Sequence, residues 1–249
     1  MTIHLLNCFT CNARWPSKLK TGMACLLIES EQGSILIDTG LGLDDYAHPT
    51  WMTNLFRVVT IVPFDVNEAA VNRIKQLGFD PEDVRHIVLT HMHFDHMSGL
   101  PDFPRAKVHV HRREYDSFTD GKLLQWTDAA YIPRYIAHKP EFVLYDTVDS
   151  KWYDFDAIRL PFQPEMYFIP LFGHSYGHCG VAIKTANGWL FQAGDSSSVY
   201  DNETPKWLIN LVLGPHDARL RKFKQKHPEV LVTNSHMFPE FFTQHPIIN

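Results

Sequence analysis

Five short apolar runs in this chain stop at a histidine or an aspartate. "SILID" ends at Asp38, "HIVLT" runs into His91, and "MYFIPLF" runs into "GHSYGH", with His174 and His178. "GWLFQA" runs into "GD" with Asp195, and "EVLVT" into "NSH" with His236. Each run has the length and the apolar content of a strand. A strand fixes its own end, so the loop just beyond it carries reactive groups on a rigid base. If these strands share one edge of a sandwich, their loops converge. The densest cluster, "THMHFDH", puts His91, His93, Asp95 and His96 within six residues. Burying four such groups without a cation would leave costly unpaired polar atoms, so the cluster reads as a metal site.

The rest of the chain fits a sheet with helices outside it. "MACLLIE" and "SILIDTG" read as paired strands joined by the turn-like "SEQG". "NEAAVNRIKQLG" reads as a helix with Asn67 as its cap and Gly78 as its stop, with Ala70, Val71, Ile74 and Leu77 on one apolar stripe. "DPED" suits a short helical turn with Pro81 at its first position. "AKVHVH" and "CGVAIKT" are further strands, and "RREYDSF" and "HDARLRKFKQKH" further helices. Strands in both halves with helices between them indicate an α/β or α+β fold. With no repeat and no low-complexity linker, residues 1–249 are expected to form a single domain.

Composition excludes several partners. The 249 residues are 45% hydrophobic and 20% charged, with a formal net charge of −5. That balance gives no broad nucleic-acid surface, and the basic run Ala218–Lys226 reads as the solvated face of a helix. No apolar run approaches the ~20 residues of a membrane span. The N-terminus lacks the pattern of a signal peptide. Cys8, Cys11, Cys25 and Cys179 include one C-x-x-C pair but no second pair to complete a zinc knuckle. Free thiols and a cytoplasmic location are therefore expected. His4, His48, His86, His109, His111, His138, His216, His227 and His245 are read as structural.

Spacing within the cluster separates its donors. In extended backbone, side chains at i and i+2 point the same way, so His91 and His93 can grip one cation. A turn beyond them can aim Asp95 and His96 at a second. A helical H-E-x-x-H site would need histidines four apart, which this stretch lacks. Nitrogen and carboxylate donors without thiolate suit Zn²⁺, and also Fe or Mn. Two neighbouring cations repel, so a carboxylate between them is useful, and Asp195 is the candidate bridge.

"THMHFDH" resembles the H-x-H-x-D-H signature of the metallo-β-lactamase superfamily of metallohydrolases. "LIDTG", "GHSYGH", "AGDS" and "NSH" are similar to its other strand-end segments, in the same order and over nearly the whole chain. The resemblance implies a four-layer αββα sandwich with a dinuclear site at one edge. It implies His91, His93 and His174 on a first metal and Asp95, His96 and His236 on a second, with Asp195 bridging. Asp38, Thr90 and His178 would orient those ligands. It also implies hydrolysis by a metal-bound hydroxide, with Asp95 handling the proton as the catalytic residue. The full ligand set, with Asp195 not replaced by Cys and His93 not replaced by Glu, points to lactonases, thioesterases and phosphodiesterases within the superfamily.

Chain length and "HMHFDH" are most similar to the N-acyl homoserine lactonases, so an ester, lactone or thioester substrate is expected. Those enzymes often carry a tyrosine three residues after the bridging aspartate, where this chain has Ser198, with Tyr200 nearby. A glyoxalase II-like thioesterase would add a helical C-terminal domain with basic residues, but only "MFPEFFTQHPIIN" follows His236. A nuclease would bring more positive charge, and a metal-binding sensor would bind metal without turnover. The segment 46–64, with Trp51, Met52, Phe56 and Phe64, is rich in apolar groups for a connection. It reads as a lid and pocket for an apolar portion of a small-molecule substrate, as ordinary core, or as a homodimer contact.

Overall fold

The computed structural model describes residues 2–12, 20–121, 126–197 and 206–249. Ser198 and Tyr200 lie outside the described residues. In chain order the first half contains β1 (Ile3–Asn12), β2 (Lys20–Ile28), β3 (Ser34–Ile37), α1 (Leu43–Ala47), α2 (Trp51–Thr60), α3 (Ala70–Gln76), β4 (Val84–Val88), α4 (Phe94–Met97), β5 (Lys107–His111), α5 (Arg112–Asp120) and β6 (Phe142–Tyr145). The second half contains β7 (Ser150–Trp152), β8 (Phe155–Leu160), β9 (Met166–Pro170), β10 (Cys179–Thr185), β11 (Gly188–Gln192), α6 (Lys206–Leu213), α7 (Asp217–Lys226), β12 (Val230–Thr233), β13 (His236–Met237), α8 (Pro239–Gln244) and β14 (Ile247–Ile248).

Two sheets result. The first has the order β14-β1-β2-β3-β4-β5-β6, with β13 paired to β2. The second has the order β12-β11-β10-β9-β8-β7. β3, β4, β5 and β6 pair in parallel, as do β11 and β12. Parallel neighbours need crossovers, and they deliver the ends of successive strands to one edge. The loops after β3 and β4, and those after β11 and β12, leave their sheets on that principle.

Strand alternation builds the layers. Leu26, Ile35 and Val88 face inward and pack with Phe168, Val181 and Leu190 of the second sheet. Their neighbours Leu27, Leu36 and Ile87 face outward and pack with Val71 and Ile74 of α3. On the far side, Ala182 and Phe191 pack against Leu220 and Phe223 of α7. The result is the four-layer αββα sandwich, with strands buried on both faces.

Several local expectations shift. The helix read from Asn67 begins instead as a 3-10 turn at Val66–Glu68, capped by Asp65, whose carboxylate accepts the Asn67 N–H at 3.0 Å. The α-helix proper starts at Ala70, and Gly78 follows it at φ +87°, a conformation that suits glycine. Pro81 opens a short turn capped by Asp80. β4 stops at Val88, so Leu89 and Thr90 already belong to the loop. β1, buried along both faces and so without alternation in its sequence, lies inside the first sheet between β14 and β2.

The 46–64 segment is mostly helix. Thr50 caps α2 by accepting the Thr53 N–H at 3.0 Å, and Ile61 ends it in the left-handed region. Met52 and Phe56 face the core, whereas Trp51, Leu55, Val58 and Val59 lie exposed. Buried Asp45 anchors the segment by accepting from Thr53, Arg134 and Tyr135.

Phe168 is fully buried between the sheets. Phe168→Ala is expected to destabilise the chain by about 3–5 kcal/mol, read as a lower urea midpoint at unchanged m value. Trp51→Ala, on the exposed face of α2, should stay within about 0.5 kcal/mol of the parent.

Candidate metal centre

The strand ends do converge. Thr90 follows β4, and its loop carries His91 and His93 before the single turn of α4 brings up Asp95 and His96. The loop after β9 supplies His174 and His178, the 3-10 turn after β11 supplies Asp195, and β13 begins with His236. Ligand-type atoms of His91, His93 and His174 form one tight group. Those of Asp95, His96, Asp195 and His236 form a second. In each group the atoms lie within 4.8 Å of one another.

Asp195 joins the two groups. Its Oδ2 lies 3.4 Å from His174 Nε2, 3.5 Å from His96 Nε2 and 3.7 Å from His236 Nε2. Asp95 Oδ2 lies 3.6 Å from His236 Nε2. His93 Nδ1 and His174 Nε2 face each other at 3.2 Å.

Hydrogen bonds behind the site fix which ring nitrogen points inward. Asp38 follows β3 at φ 55° and is fully buried. Its Oδ1 accepts the Thr90 N–H at 2.8 Å, and its Oδ2 accepts the Thr90 hydroxyl at 2.8 Å and His96 Nδ1–H at 2.9 Å. With its proton committed to Asp38, the Thr90 oxygen accepts from His91 Nδ1 at 3.0 Å. His174 Nδ1 donates to the Val212 carbonyl at 2.6 Å. Nε2 of His91, His96 and His174 is thereby left with a free lone pair, as in metal-ligating imidazoles. His178 has a different place: its Nε2 accepts the Asp195 N–H at 3.0 Å and its Nδ1 faces Ser196 Oγ at 3.0 Å. It steadies the Asp195 loop.

A direct test of fit lies in atoms left without partners. His91 Nε2, His96 Nε2 and Asp195 Oδ1 are buried and accept or donate no hydrogen bond. Each unsatisfied polar atom costs about 1–3 kcal/mol, so this concentration needs something to take up the lone pairs. Nitrogen and carboxylate donors at this spacing fit divalent cations.

The electrostatics agree. Burial, then the mutual repulsion of neighbouring imidazoles, holds His91 and His93 well below the usual histidine range, so both stay neutral and able to ligate. Burial likewise lowers His174. In the second group burial opposes charging of His96, but Asp38, Asp195 and Asp95 outweigh it and push the ring up to about 10. Asp195 similarly holds His236 well above its ordinary value against the effect of burial. The excess negative charge that draws protons there is equally what draws cations.

Residues 23–236 match the family model described as the metallo-beta-lactamase superfamily. The chain belongs to that superfamily. Among relatives, a probable metallo-hydrolase of Mycobacterium tuberculosis is 35% identical over 199 residues, which is 78% of this chain. The match covers only 62% of that protein's length. An N-acyl homoserine lactonase of Bacillus cereus is 26% identical, over 73% of this chain and 67% of its own. A solved N-acyl homoserine lactone hydrolase, with the product N-hexanoyl-L-homoserine at its catalytic metal centre, superposes with a TM-score of 0.68 at 20% identity. It covers 97% of this chain and 95% of its own. That hydrolase thus shares the fold seen here.

The substrate-pocket candidates separate in space. Phe56 stands 5.3 Å from Phe94 and 6.0 Å from Phe9, whose ring is 6.1 Å from that of His236. Met52 packs on the same core. Phe64 packs on that core too, under Arg57 and beside Tyr46, whereas Trp51 faces solvent. Two residues near the centre escaped sequence reasoning. Cys11, in the C-x-x-C pair, lies beside His236 and 2.9 Å from Thr21 Oγ1. Glu114 is fully buried behind the first group; its one signal is an acid in the first helical turn after a strand ending in histidine.

Asp38→Asn sets an amide NH₂ where Thr90 and His96 now donate. His96 must then turn its protonated nitrogen toward the centre. Zn²⁺ affinity is expected to fall about 10–100-fold, measured by chelator competition, while circular dichroism stays close to the parent's.

Proposed function

We propose that the chain is a dinuclear metal-dependent hydrolase of esters, lactones or thioesters, acting as one domain over residues 1–249. The observation that carries this reading is the position of the Asp195 carboxylate, within 3.7 Å of histidines from both donor groups. His91, His93 and His174 would hold one cation, and Asp95, His96 and His236 the other, with Asp195 shared. Asp38, Thr90 and His178 keep those donors aimed. Zn²⁺ suits the donors best, with Fe or Mn as alternatives. Such cations, when bound, bring the pKa of water to about 7 and polarise the oxygen that gains charge in the transition state. Asp95 is assigned the proton-handling role: its carboxylate is buried among His96 and His236 and reaches the centre from the turn of α4.

A small lactone or ester with an apolar portion is the substrate class favoured. Half-buried Phe56 packs edge-on against the buried Phe9 and Phe94 rings, and Phe9 neighbours His236, so Phe56 and Met52 are the apolar groups that an acyl chain would cover. The two lactone-cleaving relatives described above support the lactone branch of this reading. Among the described residues no helix is long and apolar enough to cross a membrane.

Purified protein loaded with Zn²⁺ is expected to hydrolyse N-acyl homoserine lactones or an aryl ester faster than a thioester or a bis-phosphodiester. Chelation should abolish turnover and added metal restore it. Turnover of the bis-phosphodiester alone, or metal binding with no turnover, would overturn the assignment. His93→Ala and Asp95→Ala should each lower kcat/KM by at least about 100-fold, with far-ultraviolet circular dichroism unchanged; retained rates would reject their roles.

A further inference from the structure

Glu114 lies in the first turn of α5 and is fully buried, yet it belongs to neither donor group. Its carboxylate collects four hydrogen bonds. Oε1 accepts the Met92 N–H at 2.8 Å and the Tyr131 hydroxyl at 3.0 Å. Oε2 accepts the Ser175 hydroxyl at 2.7 Å and the Gly177 N–H at 2.8 Å. A buried carboxyl is costly unless its oxygens are satisfied, and here both are.

The partners are informative in their positions. Met92 lies between His91 and His93. Ser175 and Gly177 lie between His174 and His178. The Tyr131 ring stands 5.4 Å from that of His93. All three histidines of the first group therefore come from two loops, and Glu114 holds one loop with each oxygen. The close approach is enforced by Gly177, where a Cβ would meet the Glu114 main-chain nitrogen at 2.2 Å. No residue of the second group bonds to Glu114 among these four contacts.

We propose that Glu114 is the positioning residue of the His91, His93 and His174 group, a clamp that sets the separation of the two loops and hence the affinity of the first cation. The proposal rests on the two-cation reading above. It makes a chemical demand that only a carboxylate meets. Each oxygen faces one main-chain N–H, which can donate and cannot accept. The hydroxyls of Tyr131 and Ser175 can rotate, but the amides of Met92 and Gly177 cannot. In Glu114→Gln, either orientation of the new amide therefore sets NH₂ against a main-chain N–H.

The test is stepwise Zn²⁺ binding to the full chain by chelator competition, with His174→Ala and His236→Ala marking the first-group and second-group steps. Glu114→Gln is expected to weaken the step that His174→Ala removes by about 10–100-fold. The step removed by His236→Ala should move by less than about threefold. Tyr131→Phe and Ser175→Ala each delete one bond and keep the carboxylate, so they should weaken the same step by a smaller factor. They carry the test if Glu114→Gln does not fold. The Co²⁺-loaded protein gives a second readout: the visible band assigned to the first step should shift in Glu114→Gln. Equal weakening of both steps, or an unchanged first step in all three variants, would overturn the clamp. If the parent chain binds no Zn²⁺ in two steps, the two-cation reading fails instead.

Discussion

Buried lone pairs with nothing to meet them are the constraint on which the rest of this molecule depends. Three imidazoles of one group and the two imidazoles and two carboxylates of the other fill a single volume at the edge of the sandwich. Left to themselves, they combine unsatisfied nitrogen atoms with closely spaced carboxylates, both unfavourable away from water. Cations convert that arrangement from a liability into a site. The strand ends are thus organised around a charge that the side chains alone do not supply.

The fold makes the arrangement affordable by stiffening everything behind it. Strands buried on both faces end at fixed points, and each ligand-bearing loop is tied back by hydrogen bonds. Asp38 reaches from β3 to Thr90 and His96. His178 holds the Asp195 loop through its main-chain N–H. Glu114 connects the loop after β4 with the one after β9. These carboxylates and imidazoles are far apart in sequence, and each acts on a neighbour that faces the centre. Orientation comes from these outer bonds, and chemistry from the inner atoms.

Much of this was legible in the chain because chemistry and periodicity coincided. Runs such as "HIVLT" and "EVLVT" announced strands, and the histidines or aspartates beyond them announced loops. "HMHFDH" gave spacing that an extended segment followed by a turn converts into two directions, and α4 supplies that turn. Other parts were hidden for physical reasons. β1 is buried on both faces, so "IHLLNCFTCN" shows no alternation to mark it. Asn67 does not cap α3 because a 3-10 turn capped by Asp65 takes up that stretch, and the helix itself starts after Ala69 with no side-chain cap. In 46–64 the sequence gives no sign of which apolar groups face the core, because α2 carries them on both its faces; Met52 and Phe56 pack inward while Trp51 and Val58 do not. Glu114 was invisible because its importance lies in four partners drawn from three separate segments.

Anomalous X-ray diffraction from crystals of the Zn²⁺-loaded chain, collected on both sides of the metal absorption edge, tests the central claim most directly. Two peaks are expected, about 3.5–4 Å apart, one contacted by His91, His93 and His174 and the other by Asp95, His96 and His236. The Asp195 carboxylate should touch both. A single peak, or two peaks with Asp195 turned away from either, would contradict the account.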